Sequence, residues 1–308
     1  MADARTPIIV GPTAIGKTAV ALALASHWPL EVISADSRQV YIGLDVATAK
    51  PTARERERVR HHLLDRIKPG DRYSAGRFSR DASLVVHDVR ARGVMPVVVG
   101  GTGLYVRAFV EGLFREPPMA EDRRAGLARI TAMMDHATLV RWAGRLDPEF
   151  AGGGGKHRAA RAIEVALLTG RPLSWWQESA AGHGAVRPWF VRLTAPRPVL
   201  HQRIRARTEE LVRRGLVEEV AAALADGAPA EGPGLDAIGV REAVAVLHGR
   251  LPRDLLVDAI ATATRQYAKR QETWFRHQLG ADVLTLDATR SPEQVAGAIA
   301  AAWEQRSA

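Results

Sequence analysis

The sequence predicts an α/β fold in which a parallel sheet is flanked by helices and interrupted by an all-helical insertion. Three observations predict it. Short β-branched apolar runs alternate with helical stretches in both outer parts of the chain, a glycine-rich turn joins the first run to the first helix, and strand-like runs vanish from a long central stretch.

The first strand is Ile8–Val10, a β-branched run that ends at Gly11. Residues 18–28 are rich in Ala and Leu and predict a helix. Glu31–Ala35 predicts a second strand and Val94–Val99 a third. Between them Phe78–Arg92 has helical spacing and stops at Gly93, a residue suited to a helix C-terminus. Pro96 weighs against the third run as a central strand. Pro117-Pro118 then breaks the chain, and from Asp122 to about Gly170 the pattern is helical, with Gly152–Gly155 as a flexible joint. A strand returns at Trp189–Thr194. One long amphipathic helix is predicted over Arg197–Ala225, further helices over Ala237–Leu247 and Pro252–Gln278, and a last strand over Asp282–Leu286. The expected organisation is an α/β core of residues 1–115 and 186–308, with 116–185 as the helical insertion domain.

With 308 residues, 46% of them hydrophobic and 25% charged, the chain can bury a sizeable core and is not disordered. It has no cysteine, which excludes a disulfide scaffold, an Fe–S site and a cysteine nucleophile, and fits a cytoplasmic protein. No apolar run reaches the roughly 18 residues that span a bilayer, and Met1–Pro7 carries no export pattern, so no membrane partner is expected. The net charge of +9 is compatible with a polyanionic partner and equally with an arginine-rich composition.

Gly11-Pro12-Thr13-Ala14-Ile15-Gly16-Lys17-Thr18 matches G-x-x-x-x-G-K-[ST], between an apolar strand and a helix. Glycines let backbone N–H groups turn inward around a phosphate, and the helix N-terminus adds positive potential. Lys17 reaches the outer phosphate, and Thr18 can ligate Mg²⁺. The fold is therefore expected to be the P-loop NTPase-like variety of the parallel sheet. The loop indicates a pyrophosphate-bearing ligand; it does not indicate ATP.

Asp36 falls at the carboxyl end of the second strand, where open α/β sheets place their ligands. A carboxylate there can ligate Mg²⁺ through water, accept a proton, or cap a helix. Gln39 can pair with an adenine edge or simply lie on the surface. After the third strand, Gly100-Gly101-Thr102-Gly103 permits close approach, and Thr102 offers a hydroxyl at the same edge. His61-His62 points in two directions without a third ligand, which favours a structural or substrate-lining role over a metal.

The order GPTAIGKT, DSRQVY, HHLLD, VVGGTGLY, and then Thr264-Arg265-Gln266-Tyr267-Ala268-Lys269-Arg270-Gln271-x-Thr273-Trp274, resembles the tRNA dimethylallyltransferase (isopentenyl-tRNA transferase) family from about Ile8 to Arg276. The resemblance implies transfer of the dimethylallyl group of dimethylallyl pyrophosphate to N6 of the adenosine 3′ of the anticodon, in tRNAs reading UNN codons. It implies a Mg²⁺-dependent, monomeric, bacterial-type enzyme. Gly11, Thr13, Ala14, Ile15, Gly16, Lys17 and Thr18 would hold the donor's pyrophosphate, joined by Arg207 from a lid-like helix; Lys17, Thr13 and Arg207 would act with Asp36 in catalysis. Asp36 would be the general base. Asp36 itself, Ser37, Arg38, Gln39, Thr102, Arg124 and the stretch His157-Arg158-Ala159-Ala160-Arg161 would contact tRNA. Arg203 and Arg207 stand four apart on one predicted helix face, and Tyr267, Arg270 and Trp274 form a near-helical stripe that reads as core packing. The chain departs from the family pattern at Gly152–Lys156, where a His-Pro-Asn-Asp type sequence is usual, and at Val240, where a Tyr is usual. Competing readings are a small-molecule kinase with the same loop, a prenyltransferase acting on a free adenine nucleotide, and a non-enzymatic RNA-binding module.

Overall fold

The computed structural model describes residues 5–112, 119–153, 155–179, 184 and 186–307. In chain order the elements are β1 (Thr6–Val10), α1 (Lys17–Leu24), β2 (Leu30–Ala35), α2 (Ala53–Arg58), β3 (His61–His62), α3 (Ala75–Ala91), β4 (Met95–Gly100), α4 (Gly103–Glu111), α5 (Glu121–Ala132), α6 (His136–Leu146), α7 (Gly155–Thr169) and α8 (Leu173–Ser179). Then follow β5 (Pro188–Thr194), α9 (Arg197–Arg213), α10 (Leu216–Ala225), α11 (Val240–Leu247), α12 (Leu256–Gln278), β6 (Val283–Asp287) and α13 (Pro292–Ser307). The chain divides into two compact units, 1–110 with 185–308, and 111–184.

The first unit holds one parallel sheet in the order β3-β2-β4-β1-β5-β6. Its inner strands are buried on both faces, which is why their sequences read as continuous apolar runs. Side chains alternate between two cores. Ile8, Val10, Ile33 and Val98 pack with Phe78, Phe109, Val240 and Phe275 on one face. Ile9, Val32, Val97 and Val191 pack with Leu24, Leu200 and Ile299 on the other. Phe78 is fully buried and stacks on Tyr105 with ring centroids 4.6 Å apart. Because β2, β4 and β1 are neighbours, the turns beginning at Asp36, Gly101 and Gly11 open along one sheet edge.

The second unit is helical. Small residues Ala143, Ala159 and Ala162 let α6 and α7 approach closely around Leu139 and Ile163. Asp147 is buried and accepts Ser174 N–H (3.0 Å) and Oγ–H (2.7 Å), tying the end of α6 to the start of α8.

Several expectations need correction. Pro96 does lie in an inner strand, but it is the second residue of β4, and pairing with β1 starts only at Val98. The long helix over Arg197–Ala225 is two helices, because Gly215 takes φ +91° between α9 and α10. The helix predicted over Ala237–Leu247 begins at Val240 behind Gly239, and the one over Pro252–Gln278 opens with a 3₁₀ turn at Arg253–Leu255. His61-His62 is the edge strand β3, paired with Val32 and Ile33. Helices α2, α4, α8 and α13 were not anticipated. Pro117-Pro118 and Gly154 lie outside the described residues.

Candidate active site

The phosphate-loop sequence folds as its spacing requires. Gly11 has φ +154°, and a Cβ there would sit 2.8 Å from the Leu193 carbonyl oxygen of β5. Gly16 caps α1 with φ +103° and offers no side chain, so the amides of the helix's first turn stay available to an anion. Val20 is the residue that donates back into the loop, to Gly16 O at 3.1 Å. Ile15 anchors the loop in the core, whereas Thr13, Ala14, Lys17 and Thr18 are half-buried. The Lys17 ammonium curls over the loop and donates to Gly11 O and Pro12 O, each at 2.8 Å.

Two other charges share this space. Burial pushes the Lys17 ammonium down to about 7, with Asp36 pulling it up and Arg207 pushing it further down. Arg207, on α9, is exposed, yet the surrounding protein lowers its pKa while Asp36 raises it. One turn earlier on the same helix face, Arg203 donates to Ile15 O at 3.2 Å. The i, i+4 pair therefore reaches the loop from β5's side of the sheet, and Arg203 adds a contact that was not among the expected site residues.

Asp36 ends β2. Its Oδ1 accepts the Arg38 N–H at 2.8 Å, which fixes the carboxylate in a local turn. No helix starts there, so the helix-cap alternative falls away. Ser37 N–H donates to Thr102 Oγ1 at 3.1 Å, and the Thr102 hydroxyl reaches Ser37 Oγ at 3.4 Å. Tyr267 lies close by on α12; burial and then the nearby Asp36 raise the pKa of its hydroxyl. Arg38 extends to Pro233 O (2.9 Å) and lies 4.0 Å from Asp236. Gln39 holds its own fold together, accepting from Ser34 Oγ at 2.9 Å and donating to Ala49 O at 3.2 Å.

The glycines that end and follow β4 each answer a different steric demand. A Cβ on Gly100 would overlap the Ala35 backbone, one on Gly101 the Gln271 amide, and one on Gly103 the Trp274 ring. Both of the latter side chains come from α12. Gln271 is 6% exposed; its Oε1 accepts Thr13 N–H at 2.9 Å and its Nε2 donates to Gly101 O at 2.8 Å. The α12 face turned to the site is thus Tyr267, Gln271 and Trp274, at i, i+4 and i+7. Arg270 instead is exposed, its guanidinium 5.7 Å from the Tyr267 ring centre. An open groove of about 640 Å³ runs along α12 past Lys269, Arg270, Trp274 and His277.

The segment a few residues beyond Asp36 is pinned by two charged side chains. The Glu219 carboxylate takes three successive amides, from Asp45 (2.7 Å), Val46 (2.8 Å) and Ala47 (2.7 Å). Buried Lys50 donates to Tyr41 O and Asp45 at 2.6 Å and to Asp65. At the sheet's opposite edge, Glu31 pairs with Arg92 through both oxygens and with His62 Nε2 at 2.6 Å. That pairing holds the Glu31 carboxyl near 2, with the Arg92 hydrogen bonds the largest cause. His61 and His62 therefore serve the edge strand. Among the described residues no group of three or more His, Cys, Asp or Glu could hold a metal ion.

In the helical unit, Arg124 of α5 pairs with Glu164 of α7 at 2.6 Å, and Arg161 pairs with the same oxygen at 2.7 Å. His157 and Arg158 are exposed, Ala160 is half-buried, and Ala159 is fully buried in the helix core. The expected stretch thus splits into an outward basic pair and an inward alanine.

Comparison with known proteins extends this picture. A family model described as IPP transferase matches residues 39–278. A tRNA dimethylallyltransferase of Koribacter versatilis is 41% identical over 282 residues, covering 90% of this chain and 92% of that protein. One of Phenylobacterium zucineum is 42% identical over 281 residues, covering 90% and 91%. The crystal structure of a tRNA isopentenylpyrophosphate transferase from Bacillus halodurans superposes with a TM-score of 0.71 at 33% identity, covering 98% of each chain.

Proposed function

Because this chain belongs to the IPP transferase family and is an enzyme that transfers a dimethylallyl group to tRNA, we propose a division of labour among the residues gathered at its sheet edge. The loop Gly11–Thr18 takes the pyrophosphate of dimethylallyl pyrophosphate, and Asp36 takes the proton from the exocyclic N6 of an adenosine 3′ of the anticodon. The observation that carries this reading is that Lys17 on the first turn of α1, Asp36 just after β2 and Arg207 on α9 lie within electrostatic reach of one another.

The chemistry follows from that grouping. The allylic C–O bond breaks and its electron pair leaves with pyrophosphate, while an N–C bond forms at N6 and the N6 proton passes to Asp36. Allylic delocalisation spreads the charge on carbon, so much of the work is stabilising the departing anion. Arg207 and the first-turn amides of α1 supply positive potential fixed in advance, and Lys17 adds to it as the ammonium that a bound diphosphate favours. An arylamine is a weak nucleophile, so the Asp36 carboxylate acts mainly by being held in place, here by Arg38 N–H. A base stacked in an anticodon loop cannot reach this edge, so it is everted into the protein. Ser37 and Thr102 flank its path, and Arg38, Gln39, Arg124, His157, Arg158 and Arg161 are the proposed tRNA contacts.

The residues fit a magnesium ion carried in with the donor. Thr18 offers one half-buried hydroxyl on the first turn of α1, and the diphosphate and water complete a hard-oxygen set of the kind Mg²⁺ prefers. When bound, the ion neutralises charge on the leaving group. Among the described residues no helix is long and apolar enough to cross a membrane.

The test is incubation with dimethylallyl pyrophosphate, Mg²⁺ and unmodified tRNA, followed by nuclease mapping and nucleoside mass spectrometry. One C5H8 unit on the adenosine 3′ of the anticodon, in tRNAs reading UNN codons, is expected. Modification of another nucleotide, or phosphate transfer to a small metabolite, overturns the assignment.

A further inference from the structure

We propose that Gln271 is a positioning residue for the donor site: it locks the pyrophosphate loop to the Gly100–Gly103 turn and so sets the distance between leaving group and acceptor. The proposal rests on the loop being the donor site. Three observations place the side chain in this role. Its two amide ends are both engaged, Oε1 by Thr13 N–H at 2.9 Å and Nε2 by Gly101 O at 2.8 Å, so it spans the two turns as a single rigid strut. It is 6% exposed, so water cannot substitute for either partner without opening the core. Finally, Gly101 has no side chain at the point where a Cβ would overlap the Gln271 amide nitrogen.

The two turns carry different halves of the reaction. The loop that contains Thr13 also carries Lys17, which contacts Gly11 O and Pro12 O on the near side of Thr13. The turn that contains Gly101 carries Thr102, whose hydroxyl takes the Ser37 N–H next to Asp36. Gln271 also engages the Thr13 amide with a neutral acceptor. The pyrophosphate is therefore left to the amides beyond it, from Ala14 onward, and its position along the loop is defined. Neither task touches the substrate, so the expected signature lies in donor affinity and in its pH behaviour, and not in tRNA affinity.

Two variants of the full-length enzyme test this. Gln271→Met keeps length and volume and removes both hydrogen bonds. It is expected to weaken binding of inorganic pyrophosphate, by calorimetry, and to raise KM for dimethylallyl pyrophosphate, each about tenfold, with tRNA affinity by gel shift unchanged. Gln271→Glu keeps the acceptor for Thr13, and when protonated it also donates to Gly101 O. Its pyrophosphate affinity relative to the parent protein is therefore expected to recover as pH is lowered from about 8 to about 5. Wild-type pyrophosphate affinity in a folded Gln271→Met, or the same fractional loss of tRNA affinity as of pyrophosphate affinity, overturns the proposal. So does a Gln271→Glu variant whose relative affinity ignores pH. In each of these cases the parent enzyme still binds pyrophosphate and prenylates tRNA. If the parent itself does not bind pyrophosphate, the donor-site reading fails and this proposal falls with it.

Discussion

The Lys17 ammonium donates to the carbonyl oxygen of Gly11 across 2.8 Å, folding the motif's only cation back over the backbone that precedes it. This cation is caught between two demands. Desolvation by the loop favours the neutral amine, and a diphosphate in the same loop favours the ammonium.

That competition predicts proton uptake on donor binding. In the free protein Lys17 titrates near 7, below its ordinary 10.5, so above neutral pH it is mostly uncharged. An anion placed beside it raises its pKa again, and between about pH 7 and pH 10 the protein gains up to one proton per pyrophosphate bound. Calorimetry in buffers of differing ionisation enthalpy measures the uptake directly. Lys17→Met is expected to abolish the uptake and to lower turnover by at least about 100-fold.

Asp36→Asn separates binding from chemistry. The amide keeps an oxygen for the Arg38 N–H, so the turn survives, but the group no longer accepts the N6 proton. Turnover is expected to fall by about 10²–10⁴-fold, with pyrophosphate and tRNA affinities within a few-fold of wild type. Near-normal turnover under single-turnover conditions removes Asp36 as the base.

Acid stability reports on the far edge of the sheet. Glu31 is held near 2 in the folded protein against an ordinary 4.5, so its pairing stabilises the fold fully above about pH 4.5. The contribution is lost as pH falls through 2, because the folded carboxylate must then be protonated. Glu31→Gln is expected to lower stability by about 2 kcal/mol at pH 7 and to flatten the fall of Tm between about pH 4.5 and pH 2. A parallel acid limb in mutant and wild type contradicts the role.

RNA binding by the helical unit is expected to depend on salt. His157 and Arg158 face outward from α7, while Arg124 and Arg161 are held by Glu164. Arg158→Ala is expected to weaken tRNA binding and to reduce the slope of log K against log salt by about 1. Filter binding across a salt series decides it, and an unchanged slope excludes a phosphate contact at Arg158.

What was legible in the sequence followed physical range. The loop Gly11–Thr18 could be read because a phosphate cradle demands fixed spacing within eight successive positions, and Asp36 because a carboxylate at a strand end is placed by the strand itself. Gln271 could be quoted as part of a motif but not given a task, since its partners lie 258 and 170 positions away. Arg203 stood on the right face, yet its contact with Ile15 O needed the helix to be seen against the loop. The near-helical spacing of Tyr267, Arg270 and Trp274 runs the α12 stripe through Arg270, whereas the face turned inward carries Gln271. Edge strand β3 escaped because two residues give no periodicity, and Gly215 escaped because a glycine inside an amphipathic pattern does not announce a positive φ.

The strut from α12 also bears on when the protein can begin to work. During synthesis the pyrophosphate loop emerges long before α12, and Thr13 lacks its partner until residue 271, 258 positions later, has followed. A nascent chain therefore carries a recognisable phosphate motif without a finished donor pocket. The donor pocket is completed only when α12 seats against the loop that follows β1.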